Sequence, residues 1–232
     1  MALPNSTHSD LAVTLRVLAR LLQYPDNEVR AHLREMRGAL NGARVVGRGR
    51  LAELDALIDG LLAQDALATE ADYVQLFDCG RATSLHLFEH VHGDSRDRGP
   101  AMIDLAKTFE AAGLFLAEGE LPDYLPVVLE YASTQPPAQA RAFLAEMAHI
   151  FNAIFSALEK RESRYASVLG ALIEIAGETA RAVTVAPEAP IDESWVEPMA
   201  FDGCSTQGQA RPGTPQPIRI VRQNPPAQGV SP

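Results

Sequence analysis

Apolar residues recur every three or four positions along most of the chain, which is the spacing of one face of an α-helix. The repeat is most regular over residues 134–158, which predicts one long helix, and it resumes after Ser163. No segment alternates apolar and polar residues over a useful length, although residues 85–91 are ambiguous. The pattern predicts an all-α fold, a single helical-bundle domain of about seven to nine helices.

Residues that can cap helices predict where individual helices begin. Asp26 follows a proline and is expected to cap the second helix, because its carboxylate can accept a hydrogen bond from a free N–H in the first turn. Thr69 and Asp123 are expected to cap later helices, the second with Pro126 in its first turn, where the missing N–H costs nothing. The glycine-rich, basic residues 41–50 are predicted to form a solvated loop.

The composition changes after Pro187. Nine of the sixteen prolines lie in residues 187–232, and large apolar side chains are scarce there. Such a segment cannot offset the entropy that is lost on ordering. We therefore predict a helical domain over residues 9–186 and a mostly disordered, proline-rich tail over residues 187–232. The exception within the tail is an acidic segment around Trp195, the only tryptophan.

Composition and charge exclude several classes of protein. An apolar fraction of 47% is enough for a core, and a formal net charge of −10 argues against binding to nucleic-acid phosphates. The only two cysteines, Cys79 and Cys204, are too far apart in sequence to indicate a disulfide framework or a cysteine zinc site. The N-terminal residues lack the features of a signal peptide, and no apolar run approaches the ~20 residues that span a bilayer. We expect a cytoplasmic protein without membrane insertion.

Residues 69–102 are the part of the chain richest in polar groups suited to recognition. They begin with an apolar helix face and continue, between glycines, with three histidines within seven residues: His86, His90, His92. A second polar stretch, marked by prolines, covers residues 120–126. Polar stretches that interrupt regular helices favour a groove with an apolar floor and a charged rim, and the usual occupant of such a groove is an amphipathic helix.

A metal-dependent hydrolase is an alternative interpretation of the histidines. His86 and His90 share a helix face and could bind a metal ion together with Glu89 or Asp94. However, His92 would lie about 200° around the helix from His90, and no HExxH motif is present. The residues thus favour a binding protein over an enzyme, and a generic helical adaptor for another partner stays open.

One long motif resembles the signature of a known family. LFDCGRATSLHLFEHVHGDSRDRGPAMIDL, residues 76–105, is similar to the signature of the NarJ family of nitrate reductase assembly chaperones, which are relatives of the TorD-type chaperones. Three further pieces agree in order and spacing: LLQYPD (21–26), ELPDYLPVVLEY (120–131), KRESRY (160–165). The tail piece ESWVEPMAF (193–201) is similar to a lesser degree.

The resemblance implies a cytoplasmic, all-helical, non-catalytic chaperone that binds the N-terminal peptide of the catalytic subunit of respiratory nitrate reductase. It also implies that the protein assists insertion of the molybdenum cofactor before the subunit docks at the membrane, and that it binds no cofactor permanently. No glycine-rich phosphate loop indicates direct contact with that cofactor. We expect a monomer or a weak dimer.

The residues expected to line the peptide site come from both polar stretches. An apolar floor would meet the peptide, carboxylates at the rim would favour a basic partner, and arginines would orient the carboxylates. These residues are Tyr73, Leu76, Phe77, Arg81, Ser84, Leu85, Leu87, Phe88, Glu89, His90, Val91, His92, Gly93, Asp94, Arg96, Arg98, Glu120, Pro122, Asp123, Tyr124, Pro126. Tyr124 stands where the family usually has histidine, and histidines at the rim suggest an affinity that changes between about pH 6 and 7.5.

Overall fold

Ten α-helices and one 3₁₀ turn occur in the part of the chain that a computed structural model describes, residues 6–93 and 95–181. In chain order the helices are α1 (Ser6–Leu21), α2 (Asn27–Ala43), α3 (Arg48–Ala63), α4 (Ala66–Phe77), α5 (Leu87–Val91), α6 (Arg98–Ala111), α7 (Leu125–Thr134), α8 (Pro137–Glu146), α9 (Ala148–Lys160), α10 (Ala166–Ile175), and the 3₁₀ turn Arg81–Thr83 lies between α4 and α5. The all-α prediction is confirmed. The predicted disordered tail, its boundary after residue 186, and Asp94 lie outside the described residues.

Helix α10 forms the centre of the core. Every residue from Ala166 to Ile173 is buried, and so is Ile175. The helix packs against α3, α8 and α9, while α1 packs against α2 and α7 on another part of the bundle. A helix that is apolar on nearly all sides is stable only when other elements surround it, which explains its central position.

The connection between α2 and α3 corrects the prediction for residues 41–50. Both helices extend into this segment and leave only residues 44–47 between them. Val46 is buried, and Arg50 lies in α3, where its Nε donates to Glu174 Oε1 at 3.1 Å. The glycines suggested a solvated loop, but these tertiary contacts stabilise helix up to each end of the turn.

Two predicted caps have different outcomes. Asp26 caps α2 as expected, since its Oδ1 accepts a hydrogen bond from the Val29 N–H at 2.8 Å. Thr69 does not cap α4. The helix begins four residues earlier, with Asp65 accepting from the Leu67 N–H at 2.9 Å, and the Thr69 hydroxyl donates to the Asp65 carbonyl inside the helix. Asp65 and Thr69 are both residue types that cap helices, and α4 begins directly after Asp65.

The long helix predicted over residues 134–158 is divided into α8 and α9. Thr134 is the last residue of α7, Gln135 and Pro136 precede α8, and Met147 interrupts the regular helix between α8 and α9. The apolar repeat continues through Met147 at steps of three and four, so the spacing carries no sign of this interruption. Together with the one-turn helix α5, this division gives ten described helices where about seven to nine were predicted.

Candidate functional site

The two polar stretches meet through main-chain hydrogen bonds. The N–H of Leu125 donates to the carbonyl of Leu85 at 2.8 Å, and the N–H of Leu87 donates to the carbonyl of Asp123 at 3.0 Å. These bonds form an isolated antiparallel bridge, which explains the ambiguous pattern of residues 85–91. The segment before α5 is thereby fixed to the segment before α7, although all of α6 lies between them in sequence.

Asp123 is a fully buried carboxylate at this junction, with an exposed fraction of 0%. Its Oδ2 accepts a hydrogen bond from the Phe88 N–H at 3.1 Å and lies 3.8 Å from Arg98 Nη2. Asp123 was expected to cap α7. Instead it serves the first turn of α5, and α7 follows Tyr124 without a side-chain cap. The bridge is the physical reason, because it holds residue 123 beside the start of α5.

His86 completes the polar cluster around Asp123. Its Nδ1 lies 3.5 Å from Asp123 Oδ1, an ion-pair distance, and neither atom has a well-formed hydrogen bond with any described residue. The adjacent carboxylate, through its capacity to accept a hydrogen bond and through its charge, raises the pKa of His86 against the opposing effect of burial. Arg98 also lies 3.4 Å from Glu89 Oε1, so the cluster contains charges of both signs.

Aromatic side chains form the wall behind the junction. The Tyr73 hydroxyl donates to the Leu22 carbonyl at 2.7 Å and lies 3.4 Å from the Tyr124 hydroxyl. Phe77 packs on Tyr73 with 4.8 Å between ring centroids and on Tyr165 with 5.1 Å. Burial raises the pKa of the Tyr73 phenol, so this group stays neutral and able to donate.

An open groove of about 480 Å³ lies between α4, the residues before α5, and the residues before α7. Its lining includes five residues expected from the sequence: Tyr73, Phe77, Leu85, Glu120, Tyr124. It also includes Tyr24 and Leu121, each 43% exposed, which the sequence analysis did not select for the site. Tyr24 precedes Pro25 in the sequence, and nothing in the local pattern indicates that its ring packs against Tyr73 of α4. We call this cavity the central groove.

The other expected residues differ in exposure. Several belong to the core and can only support a binding surface: Ser84, Leu87, Pro122, Pro126. A second set is half-buried: Leu76, Phe88, Glu89, His90, His92, Gly93, Arg98. The exposed ones are Arg81, Val91, Arg96. Leu87 was expected in the apolar floor, but at 1% exposure it is covered by the bundle.

The histidines do not converge on one point. His86 faces Asp123, whereas His90 Nε2 lies 2.9 Å from the Ser84 carbonyl, and His92 packs edge-to-face on Phe88. In residues 6–93 and 95–181 no three histidine, cysteine, aspartate or glutamate side chains are grouped as metal ligands would be. None of the described helices is both long and apolar enough to cross a membrane.

Fold and groove together define an all-helical protein with an open, largely apolar groove that has charged groups at its edge. The chain matches the family described as nitrate reductase delta subunit over residues 23–169. It is 38% identical over 199 residues to the nitrate reductase molybdenum cofactor assembly chaperone NarJ of Escherichia coli K12, covering 86% of this chain and 84% of that protein.

Two further relatives give the same result. The probable assembly chaperone NarW of Escherichia coli K12 is 36% identical over 197 residues, 85% of this chain and 82% of that protein. The probable assembly chaperone NarJ of Bacillus subtilis 168 is 32% identical over 168 residues, 71% of this chain and 89% of that protein. The chain belongs to the NarJ family of nitrate reductase molybdenum cofactor assembly chaperones, and the resemblance seen in its motifs is confirmed.

Proposed function

We propose that this protein is a cytoplasmic chaperone for the catalytic subunit of respiratory nitrate reductase. It binds the N-terminal peptide of that subunit and assists insertion of the molybdenum cofactor before the subunit docks at the membrane. Family membership and the roles for which the relatives are named support this function. The protein acts by binding, and the molybdenum cofactor is cargo for the client, not a group that the chaperone retains.

The open central groove is the observation on which the location of the site rests. Its floor is aromatic and aliphatic, and Leu121 and Tyr24 present partly exposed apolar surface at its edge. An amphipathic helix places apolar side chains along one face and can bury them in such a groove. The buried hydrogen bonds around Tyr73 and Asp123 fix the floor before the peptide arrives, which reduces the entropy lost on binding.

Charge supports a basic peptide as the partner. Glu120 and Asp78 line the central groove, and the whole chain carries a formal net charge of −10. Such a field attracts a basic peptide from a distance and speeds its association. It also disfavours acidic segments, so charge contributes to selectivity as well as to rate.

The apolar contacts are sufficient for useful affinity. Burying roughly 500 Å² of apolar surface at about 25 cal/mol per Å² gives ~12 kcal/mol before the costs of association. Those costs are at least about 4 kcal/mol, which leaves at most ~8 kcal/mol and therefore a dissociation constant of about 1 μM or weaker. A complex of this strength is stable during assembly and still reversible.

Titration calorimetry with the N-terminal peptide of the catalytic subunit tests this proposal. We expect the wild type to bind the peptide, and Leu121→Ser to weaken binding about tenfold, because Leu121 offers apolar surface at the groove. The matched control is Ile103→Ser, which removes a side chain 57% exposed on α6 and outside the central groove. Absence of binding by the wild type would leave a generic adaptor with another client. Equal losses in both variants would place the site elsewhere.

A further inference from the structure

A second and larger groove, of about 680 Å³, lies between α1, α2, α7 and the connection that follows α6. Its apolar lining comes from four helices: Val17, Met36, Phe109, Val127. Glu120 lines this cavity as well as the central groove, so the two cavities meet at that residue. We call the larger cavity the lateral groove.

The outer wall of the lateral groove is held by the end of α6. The Leu114 N–H donates to the Phe109 carbonyl at 3.0 Å, and the Gly113 N–H donates to the Glu110 carbonyl at 2.8 Å. This is the hydrogen-bond pattern of a helix end with glycine in the left-handed conformation, and Gly113 has a φ of 80°. Beyond that turn Phe115 extends into solvent with 80% of its surface exposed. A large aromatic side chain is thus presented at the rim of an apolar cavity.

Carboxylates at the rim of the lateral groove lack cationic partners within the described residues. Arg20 pairs with Glu28, but neither Glu120 nor Glu130 is in an ion pair there. Arg16 donates to the Ser133 hydroxyl at 3.2 Å, which leaves its positive charge in place, and Glu120 Oε2 accepts from the Ala117 N–H at 3.2 Å. Three carboxylates and two arginines line the lateral groove, so its lining is negative by one charge and favours a partner with basic side chains. This negative lining disfavours a second copy of this chain, whose formal net charge is −10.

From continuity and charge we infer that the lateral groove is a second docking site for the same client, taken by the part of its N-terminal segment that continues beyond the central groove. This inference rests on the proposed function. The client segment is an amphipathic helix or two such helices, with apolar side chains toward Phe115 and Val127 and basic side chains toward Glu120 and Glu130. Binding then depends on the length of the peptide, because a short one fills only the central groove.

Two peptides of different length separate the grooves. A helix rises 1.5 Å per residue, so the first ~15 residues of the client extend about 22 Å, and the first ~30 extend about twice as far. Each peptide is titrated calorimetrically into the full-length wild type, Phe115→Ser, Leu121→Ser and Ile103→Ser. All three side chains are substantially exposed, so none of the substitutions removes a core contact. Urea unfolding of each variant checks that the fold is unchanged.

We expect the longer peptide to bind the wild type more tightly than the shorter one. Phe115→Ser should weaken the longer peptide about tenfold and leave the shorter one unaffected, since only the longer peptide buries Phe115. Leu121→Ser should weaken both, and Ile103→Ser neither.

Other outcomes overturn the inference in distinguishable ways. If Phe115→Ser changes neither peptide while the short peptide still binds, the lateral groove is not a client site and the proposed function stands. If Phe115→Ser weakens the binding of both peptides equally, the lateral groove is part of the primary site and not an extension of that site. If sedimentation velocity shows that Phe115→Ser abolishes a dimer, the occupant is a second copy. If the wild type binds neither peptide, the proposed function fails and the inference with it.

Discussion

Asp123 shows how one side chain can connect two distant parts of a sequence. A buried carboxylate is costly unless hydrogen bonds and opposite charges compensate for lost hydration. Here the Phe88 N–H, the Arg98 guanidinium and the His86 ring supply that compensation from residues 25 to 37 positions earlier in the chain. No local pattern around residue 123 could indicate these partners. Asp123 is therefore a capping residue, as its type predicts, but it caps α5 and not α7.

The pairing of His86 with Asp123 makes stability depend on pH in a defined direction. The folded-state pKa of His86 is raised, so the pairing contributes fully below the unfolded value of about 6.5 and is lost as the pH rises through the folded value. We expect the wild type to exceed His86→Gln in free energy of unfolding by at most about 1 kcal/mol near pH 5.5, since the side chain is 34% exposed and water screens the pair. The difference should shrink by pH 8.5.

Urea unfolding across that pH range measures the effect. His149→Gln is the matched control, because His149 is exposed on α9 and pairs with no carboxylate among the described residues. A stability difference for His86→Gln that grows as the pH rises would contradict the assigned pairing.

At the scale of elements, the apolar repeat predicts helices well where they pack along one face. The buried residues of α2 are the ones that the repeat selects: Val29, Leu33, Met36, Leu40. It is less informative at α6, where Ile103, Leu105 and Phe109 are all apolar but only Phe109 is fully buried. The apolar face of a helix shows which side chains the helix could bury, but it does not show whether a neighbouring element covers those side chains. On α6 the remaining apolar side chains are partly or largely uncovered.

Gly99, in the first turn of α6, and Gly113, just after the end of that helix, provide a matched test of its C-terminal turn. A Cβ added at Gly113 or at Gly99 meets no atom within 4 Å, so steric contacts do not distinguish them. Only Gly113 has a positive φ, of 80°. We expect Gly113→Ala to lower the free energy of unfolding by about 1 kcal/mol, because the left-handed conformation is strained for alanine. Gly99→Ala, in the first turn of α6, should be neutral or stabilising by a few tenths of a kcal/mol.

Thermal and urea unfolding of both variants measure this difference. If Gly113→Ala and Gly99→Ala change the free energy of unfolding by the same amount, the turn after α6 adapts to alanine and does not hold Leu114 and Phe115 in place. A clear difference supports a fixed outer wall for the lateral groove.

At the scale of the whole molecule, the family and the helical class follow from the sequence, whereas the grooves do not. The motif at residues 76–105 identifies the family because it is long and specific, and the apolar repeat of three or four residues identifies the helical class. The lateral groove is built from four helices and one connection whose residues are unremarkable in sequence. Cavities arise from the relative positions of elements, and single-sequence patterns contain little information on those positions.

The acidic character of the chain leads to an expectation for the kinetics of client binding. Attraction between a basic peptide and a chain of formal net charge −10 extends over about one Debye length, ~10 Å at 0.1 M salt. We expect the association rate constant to fall severalfold between about 20 and 300 mM sodium chloride, with a smaller change in the dissociation rate. Stopped-flow fluorescence with a dye-labelled client peptide measures both rates. A dissociation rate that carries the whole salt effect would contradict long-range attraction.

The bridge between the Leu85 and Leu125 main chains has a further consequence for how the chain tolerates change. The chain leaves this bridge at Leu87 and returns to it at Asp123, and between these points Leu87 and Phe109 are buried against the other helices while much of α6 is exposed. Insertions or deletions in the exposed connections on either side of α6 change the length of a closed loop without moving its two ends. Those connections can therefore vary in length while the buried contacts of the loop are kept.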